Sequence, residues 1–401
     1  MADSEPITLL CLASYYKGAD FLEEAAALGA RVLLITKENL ADEPWPMEVI
    51  DERFLMPDLT TRPDIIHAVS YLARERRLDR IVPLDDYDVE TAASLREHLR
   101  LPGIGESAVR YFRDKLAMRL QARAAGIPVP PFTPVLNYDR LRAFMEQVSP
   151  PWVLKPRSEA GAMGIKKIHH AEELWYWLRE LGDMQSFFLL EQYVPGHVYH
   201  VDGIVSEGEV VLAVASKYGQ PPMDVAHGGG VFMTQTLSPE GEEAQTLLAL
   251  NEQLQQALGM VRGATHTEFI RGDDGQLYFL ETAARVGGAN IHKMVEAATG
   301  VNLWAEWAKI EVAHARGETY TPPQPRSDSA GLLVCLARQE WPDFSAYADP
   351  EVVWHLQKKH HAGLIVRAGD PGRVRHLLQE YSRRFAHDFL AVAPPLDRPP
   401  A

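Results

Sequence analysis

Thr265–Ile291, THTEFIRGDDGQLYFLETAARVGGANI, decides how this chain is read. Two apolar runs flank Gly272-Asp273-Asp274-Gly275, and Asp-Gly between such runs is a strong hairpin signal. Each strand carries one carboxylate among hydrophobic neighbours, Glu268 on the first and Glu281 on the second. Arg285 and the pair Gly287-Gly288 follow directly. Two carboxylates on paired strands can hold a magnesium ion with few protein ligands, leaving positions for water and phosphate oxygens. An arginine just beyond can fork onto a phosphate or a carboxylate. A single glutamate in a hairpin more often faces solvent. Two of them in apolar strands, followed by Arg-x-Gly-Gly, favour a metal site.

The 401 residues exceed what one core supports, so two or three domains are expected. A composition of 46% hydrophobic and 24% charged residues is that of a soluble globular protein. The net charge of −15 argues against a general nucleic-acid or membrane-surface binder, since both would repel an acidic chain. A local basic pocket for phosphates stays compatible with it. Cys11 and Cys335 lie in apolar strand-like segments and read as buried free thiols of a reducing compartment. The first residues lack the basic region and cleavage site of a signal peptide, and no run reaches membrane-spanning length. A cytoplasmic protein is expected.

Ile7–Leu12 is a buried-strand run, Ala19–Leu28 an alanine-rich helix ended by Gly29, and Arg31–Thr36 a second strand. This βαβ unit makes the N-terminal region an open parallel sheet. Arg80–Leu84 is a further strand, followed by Asp85-Asp86 and a helix to Leu99. Those carboxylates either face a ligand at the strand's C-terminal edge or favour the dipole of the next helix. Ser107–Ala125 is a helix, ended by Gly126 and by Pro128, Pro130 and Pro131. From Trp152 the pattern turns α+β: strand, glycine-rich loop, strand and the helix Ala171–Leu181. Phe187–Gln192, His197–Val205 and Val210–Ser216 are strands, then Lys217–Gly230 is a polar loop and Ala244–Leu258 a helix. After the hairpin come a helix Ile291–Ala298 closed by Gly300 and a linker, Gly317–Ser329. The remainder holds strands near Gly331–Leu336 and Gly363–Arg367 and a helix from Gly372 to Phe385.

Val153-Leu-Lys155-Pro-Arg-Ser-Glu-Ala-Gly161-Ala-Met-Gly164 puts a lysine at a strand end before a loop of small residues. Glycines let backbone N–H groups approach a polyphosphate, and the lysine adds a point charge. The lysine precedes the glycines, so this is no Walker A loop, and a plain turn would look much the same. Lys115 alone reads as a surface lysine. Glu191-Gln-Tyr193-Val194 is a strand end that can also offer backbone groups to an adenine edge. In the loop Lys217–Gly230, Lys217 and His227 could reach a carboxylate or phosphate while Gly228–Gly230 act as a hinge. A mobile surface loop is the equal alternative. Asn290 and His292 face an acceptor or only cap a helix. His355, His360 and His361 lack a cysteine or carboxylate at ligand spacing, so no zinc site is expected there.

Taken in order, Arg113-Asp-Lys115, Gly126-Ile-Pro128, Val153-Leu-Lys155-Pro156 with its glycine loop, the Glu191–Val194 connector and Glu268…Glu281-x-x-x-Arg285 resemble the ATP-grasp superfamily over essentially the whole chain. Pro83-Leu-Asp-Asp86 fits that family's first domain, and within the family the chain is most similar to the L-amino-acid ligase and biotin-carboxylase-like branch. The resemblance implies a multidomain α/β and α+β fold: an N-terminal open parallel sheet followed by an ATP-grasp fold of two α+β subdomains. Its divisions are expected at 1–104 (pre-ATP-grasp domain), 105–188 (lid region with linking helix), 189–316 (central, metal-binding domain) and 317–401 (linker and C-terminal subdomain).

By that resemblance the cofactors are ATP and Mg2+, with Mn2+ as an alternative ion. Lys115 and Lys155 contact the phosphates, and the loop of Glu159, Gly161 and Gly164 covers them. Glu191, Tyr193 and Val194 line the adenine pocket, and Glu268 and Glu281 hold the metal. Arg285 and Lys155 are the catalytic cations, and Lys217, His227, Arg285, Gly287, Gly288 and Asn290 are the substrate candidates. Three departures stand out. Ala283 occupies the place of a further asparagine ligand, Met163 that of a serine, and His197-Val198 that of a ribose-binding glutamate, with His200 or Asp202 as substitute. The implied activity is an ADP-forming carboxylate–amine ligase, an amino-acid or peptide ligase working through an acyl phosphate. The implied partners are small-molecule carboxylates and amines and a second copy in a homodimer, with no nucleic acid or membrane. A biotin carboxylase-type subunit and a degenerate ATP-binding regulatory protein are the alternatives.

Overall fold

The structure, a computed structural model, describes residues 6–161 and 163–392, the side chains of 226 and 227 excepted. Four strands form the first sheet: β1 (Thr8–Ala13), β2 (Arg31–Lys37), β3 (Glu52–Met56) and β4 (Arg80–Pro83), in the order β3-β2-β1-β4 and all parallel. β1 is buried at every position, as a strand covered on both faces must be. The expected βαβ unit is present, with the helix Ala19–Ala27 as its crossover.

A second, antiparallel sheet holds β5 (Phe132–Pro134), β6 (Trp152–Pro156), β7 (Lys166–Ile168) and β8 (Phe188–Gln192), ordered β5-β8-β6-β7. It packs its own small core with the helices Tyr138–Gln147 and Ala171–Leu181, through Leu141, Trp152, Leu154, Leu174 and Leu190. β8 belongs wholly to this sheet, so the boundary expected at 188/189 moves past Gln192.

The third sheet has eight strands: β9 (Gly196–Ser206), β10 (Glu209–Tyr218), β11 (Phe232–Thr236), β12 (Gly263–Gly272), β13 (Leu277–Ala283), β14 (Ser329–Leu336), β15 (Val352–His355) and β16 (His361–Ala368). Their order is β13-β12-β9-β10-β11-β14-β16-β15, antiparallel throughout. The C-terminal strands therefore extend the central sheet and do not stand as the separate subdomain expected from 317–401. The long linker misled that reading: it crosses from the helix Leu303–Arg316 to a free edge beside β11. One hydrophobic core joins Leu9, Cys11, Val32 and Leu34 of the first sheet to Val198 and Ile204 of the third through Trp304 and Trp307, which fixes the two sheets against each other.

Two local readings also change. Ser107–Ala125 is broken: Glu106–Val109 and Arg110–Phe112 are short turns, and a new helix runs Lys115–Ala124 with Asp114 as its cap, accepting from the Leu116 and Ala117 N–H groups. Lys115 thus opens a helix, its charge held at a defined corner. The polar loop 217–230 contains the end of β10 and a short helix, Pro222–Gly228. The described residues contain no helix long and apolar enough to cross a membrane. Cys11 and Cys335 are free and buried, as expected, and burial pushes both thiols above their ordinary range.

Candidate active site

The three sheets meet around a cavity of about 380 Å³. Asp86 and Arg113 line it from the N-terminal side, Lys155, Glu159 and Gly161 from the second sheet, and Tyr218, His266, Glu268, Glu281, Arg285 and Gly288 from the third. The hairpin builds one wall of this cavity. β12 and β13 pair so that Glu268 stands directly opposite Glu281 and His266 opposite Ala283, with Gly275 at φ +81 in the turn between the strands.

Each carboxylate already has a partner. Tyr218 donates its hydroxyl to Glu268 Oε1 at 2.8 Å. Glu281 pairs with Lys115 Nζ at 2.9 Å, and the same ammonium donates to the Glu159 carbonyl. Burial alone would push the Glu281 carboxyl up, but Lys115 and Lys155 hold it down at about 2. Across the cavity Lys155 pairs with Glu191, and Arg119, fully buried, pairs with Glu191 from behind while donating to the Leu280 carbonyl. Burial lowers the Lys155 ammonium to about 8, with Glu191 opposing the drop. Glu191 was expected beside adenine. It does line the cavity, but its carboxylate is committed to two cations. Tyr193 and Val194 line the cavity as expected, beside Pro130, Val153 and Leu280, an apolar slot suited to a flat base.

Asp85 and Asp86 divide the two roles left open by the sequence. Asp85 accepts from the Tyr87 N–H at the start of the next turn and pairs with Lys17. Asp86 pairs with Arg113 and points into the cavity, 3.8 Å from Arg285 Nε. Asp86 Oδ1, Arg113 Nε and Arg285 Nε are buried polar atoms without a hydrogen-bond partner. Such atoms are costly to bury unpaired and mark a place built for polar contact.

Several expected site residues lie elsewhere. Asp202 is fully buried, outside the cavity lining, with Oδ2 2.6 Å from His200 Nδ1 and Oδ1 2.9 Å from His266 Nδ1, so it does not reach a ribose. These two imidazoles hold its carboxyl far below the usual range, against the effect of burial. Lys217 points to the opposite face of β10 from Tyr218, its ammonium 5.1 Å from the Tyr199 ring centre, because side chains alternate along a strand. Gly287 packs on the Asp202–His266 contact, where a Cβ would come within 2.5 Å of Asp202 Oδ1. Asn290 sits at φ +63 before the helix Ile291–Thr299 and makes no side-chain cap bond. Gly164, at φ +67, turns the glycine loop against Pro156 rather than into the cavity. Ala162 and the side chain of His227 lie outside the described residues. His355 stacks on Phe344, 4.7 Å between ring centres.

Sequence reading missed Tyr218, His266 and Arg119. His266 had a usable signal: it lies two residues before Glu268 and so shares its face. Arg119 stands four residues after Lys115, on the same side of its helix. The paired strand carboxylates, two lysines and a glycine loop are a donor set that fits a nucleotide with a divalent cation.

Residues 148–293 match the ATP-grasp domain, and residues 22–103 match the ATP-grasp N-terminal domain. The first interval contains both Lys155 and Arg285 and so encloses the hairpin. The chain is 27% identical over 279 residues to an L-arginine-specific L-amino acid ligase of Bacillus subtilis, covering 68% of this chain and 67% of that one. Among solved structures it is similar to an L-amino acid ligase from Bacillus licheniformis, with a TM-score of 0.76 at 18% identity over 97% of this chain and 99% of the other. A biotin carboxylase from Campylobacter jejuni superposes with a TM-score of 0.70 at 16% identity, over 96% and 92% of the two chains. The chain carries an ATP-grasp N-terminal domain followed by an ATP-grasp domain.

Proposed function

We propose that this ATP-grasp ligase joins a carboxylate to an amine, with amino acids or peptides as substrates, releasing ADP and phosphate through an acyl phosphate. The observation that carries the reading is the hairpin wall, where Glu268 and Glu281 stand in register beside Lys115, Lys155 and Arg285 on one cavity. Glu268 and Glu281 would hold magnesium, which would supply charge neutralisation for the phosphates. The protein's part is positioning and charge balance. Lys155 and Lys115 meet the phosphates from the lid side, and the apolar slot of Tyr193 and Val194 holds the base. Arg285 stands across from them to balance charge on the transferred group or to take a substrate carboxylate. Asp86, beside Arg285, offers an acceptor for an ammonium. The similarity to L-amino acid ligases, by sequence and by fold, supports amino acids over other carboxylates.

The test is a phosphate-release screen with amino acids and other carboxylates offered in pairs. Release that requires both a carboxylate and an amine is expected, and intact release by Glu281→Ala would overturn the reading. Turnover that instead requires bicarbonate and biotin would point to the carboxylase alternative.

A further inference from the structure

We propose that His266 is a nitrogen ligand to the divalent cation held at Glu268, oriented by Asp202, and that the site therefore favours Mn2+ over Mg2+. This rests on the ligase reading only for the presence of a nucleotide-bound cation in the cavity.

The register places the imidazole. His266 and Glu268 lie on one face of β12, and the residue opposite His266 on β13 is Ala283. Ala283 is where the family resemblance leaves a metal ligand missing, and Ala283 and His266 both line the cavity. A ligand lost from one strand is thus met by a ligand-type side chain facing it from the next.

Hydrogen bonding decides which nitrogen is available. Asp202 Oδ1 lies 2.9 Å from His266 Nδ1, so that nitrogen donates inward. Asp202 is itself held by His200 Nδ1 at 2.6 Å, and His200 Nε2 is 2.7 Å from Thr234 Oγ1. Gly287 permits this close packing, since any side chain there would strike Asp202 and His266. His266 Nε2 is then the outward atom, in a ring that lines the cavity, 3.7 Å from Glu268 Oε1. That separation is too long for a good hydrogen bond. It lies within the span of about 4.2 Å open to two donors that each sit about 2.1 Å from one ion. A carboxylate on the inner nitrogen and a metal on the outer one is the usual arrangement of a histidine ligand, because the carboxylate fixes the tautomer and the ring angle.

His200, Asp202 and His266 also converge as a would-be cation site of their own. Both oxygens of Asp202 are already spent on the two Nδ1 atoms, however, so this inner group is saturated by itself and serves the outer nitrogen. The cation takes the place of a proton on Nε2. Imidazole is a good ligand for first-row transition ions, whereas Mg2+ takes oxygen donors and keeps its waters.

The experiment is pulsed EPR on the full-length protein with Mn2+ and ADP, in ordinary and 15N-histidine-labelled forms. Coupling of the manganese to a directly bound imidazole nitrogen is expected, changing from the 14N to the 15N pattern with the label and absent in His266→Gln. Mn2+ affinity measured by EPR in the presence of ADP should fall about 10–100-fold in His266→Gln and in Asp202→Asn, with Mg2+ affinity much less affected. Bound Mn2+–ADP without histidine coupling in the labelled wild type would overturn the assignment whether or not the variants fold, and would leave the ligase reading standing. Histidine coupling in a protein that condenses no carboxylate–amine pair would support the assignment and overturn the ligase reading. Failure to bind Mn2+–ADP at all would overturn both.

Discussion

The two ends of the cavity are built on opposite electrostatic plans. At the seam between the second sheet and the hairpin, Lys155, Glu191 and Arg119 saturate one another, and Arg119 also secures the Leu280 carbonyl next to Glu281. At the N-terminal end, Asp86, Arg113 and Arg285 leave buried polar atoms without partners. The saturated end contributes rigidity, because each charge depends on the next. The open end keeps its hydrogen-bonding capacity for something that comes from outside. Substitutions should therefore separate stability from turnover according to the end they touch.

The largest effect is expected at the saturated end. Arg119→Leu strands Glu191 with one cation in place of two, and removing one member of a buried ion-paired group costs about 3–5 kcal/mol. Urea unfolding of the variant checks this, and an unchanged midpoint would mean that the seam is not the brace described. Next comes Arg285→Leu at the open end. Among the described residues, the polar contacts of Arg285 are the Val286 carbonyl at 2.9 Å and Asp86 at 3.8 Å, so stability should hardly change. Phosphate release with a productive substrate pair should fall by about 10²–10³-fold, the usual effect of losing a charge-stabilising donor. Similar losses of stability in both variants would erase the contrast between the ends.

A smaller effect is expected where the ends meet. Tyr218→Phe removes one hydrogen bond to Glu268 and should weaken divalent-cation affinity about 10-fold without altering the fold, as read by Mn2+ titration. A pH effect is expected at Asp88, which accepts from the Ser14 N–H and hydroxyl and whose carboxyl burial pushes up to about 7 from an ordinary 3.8. With the folded value raised, its contribution to stability is fully present below 3.8 and is lost as pH rises through 7. Asp88→Asn should remove that slope between pH 4 and pH 7, as read by urea unfolding. A wild-type profile already flat over that range would refute it.

What the sequence shows directly is whatever its local pattern determines. The hairpin, with Glu268 opposite Glu281, follows from alternation and an Asp-Gly turn. The βαβ unit follows from a buried run, a helix and a second run. Lys155 before its glycines, and Tyr193-Val194, likewise reach the cavity as their order implies. Contacts between distant segments leave no such mark. Asp202 looks like an exposed ribose ligand until β12 brings His266 against it from 64 residues away. Lys217 and Tyr218 differ by one position, and only the pairing of β10 with β9 says which of them faces inward. The C-terminal strands read as a separate unit because their partner, β11, lies on the far side of the helices and hairpin in sequence.

The ion pair between Lys115 and Glu281 has a consequence for binding order. The hairpin carboxylate already holds a cation of the protein's own, so a divalent ion arriving alone competes with an ammonium tethered to the same cavity. A polyphosphate that draws Lys115 toward itself removes that competitor. On the proposed reading the two ligands would bind synergistically, each raising the other's affinity by the same factor, and an affinity for metal measured in the empty protein would report a contest that the working enzyme does not face.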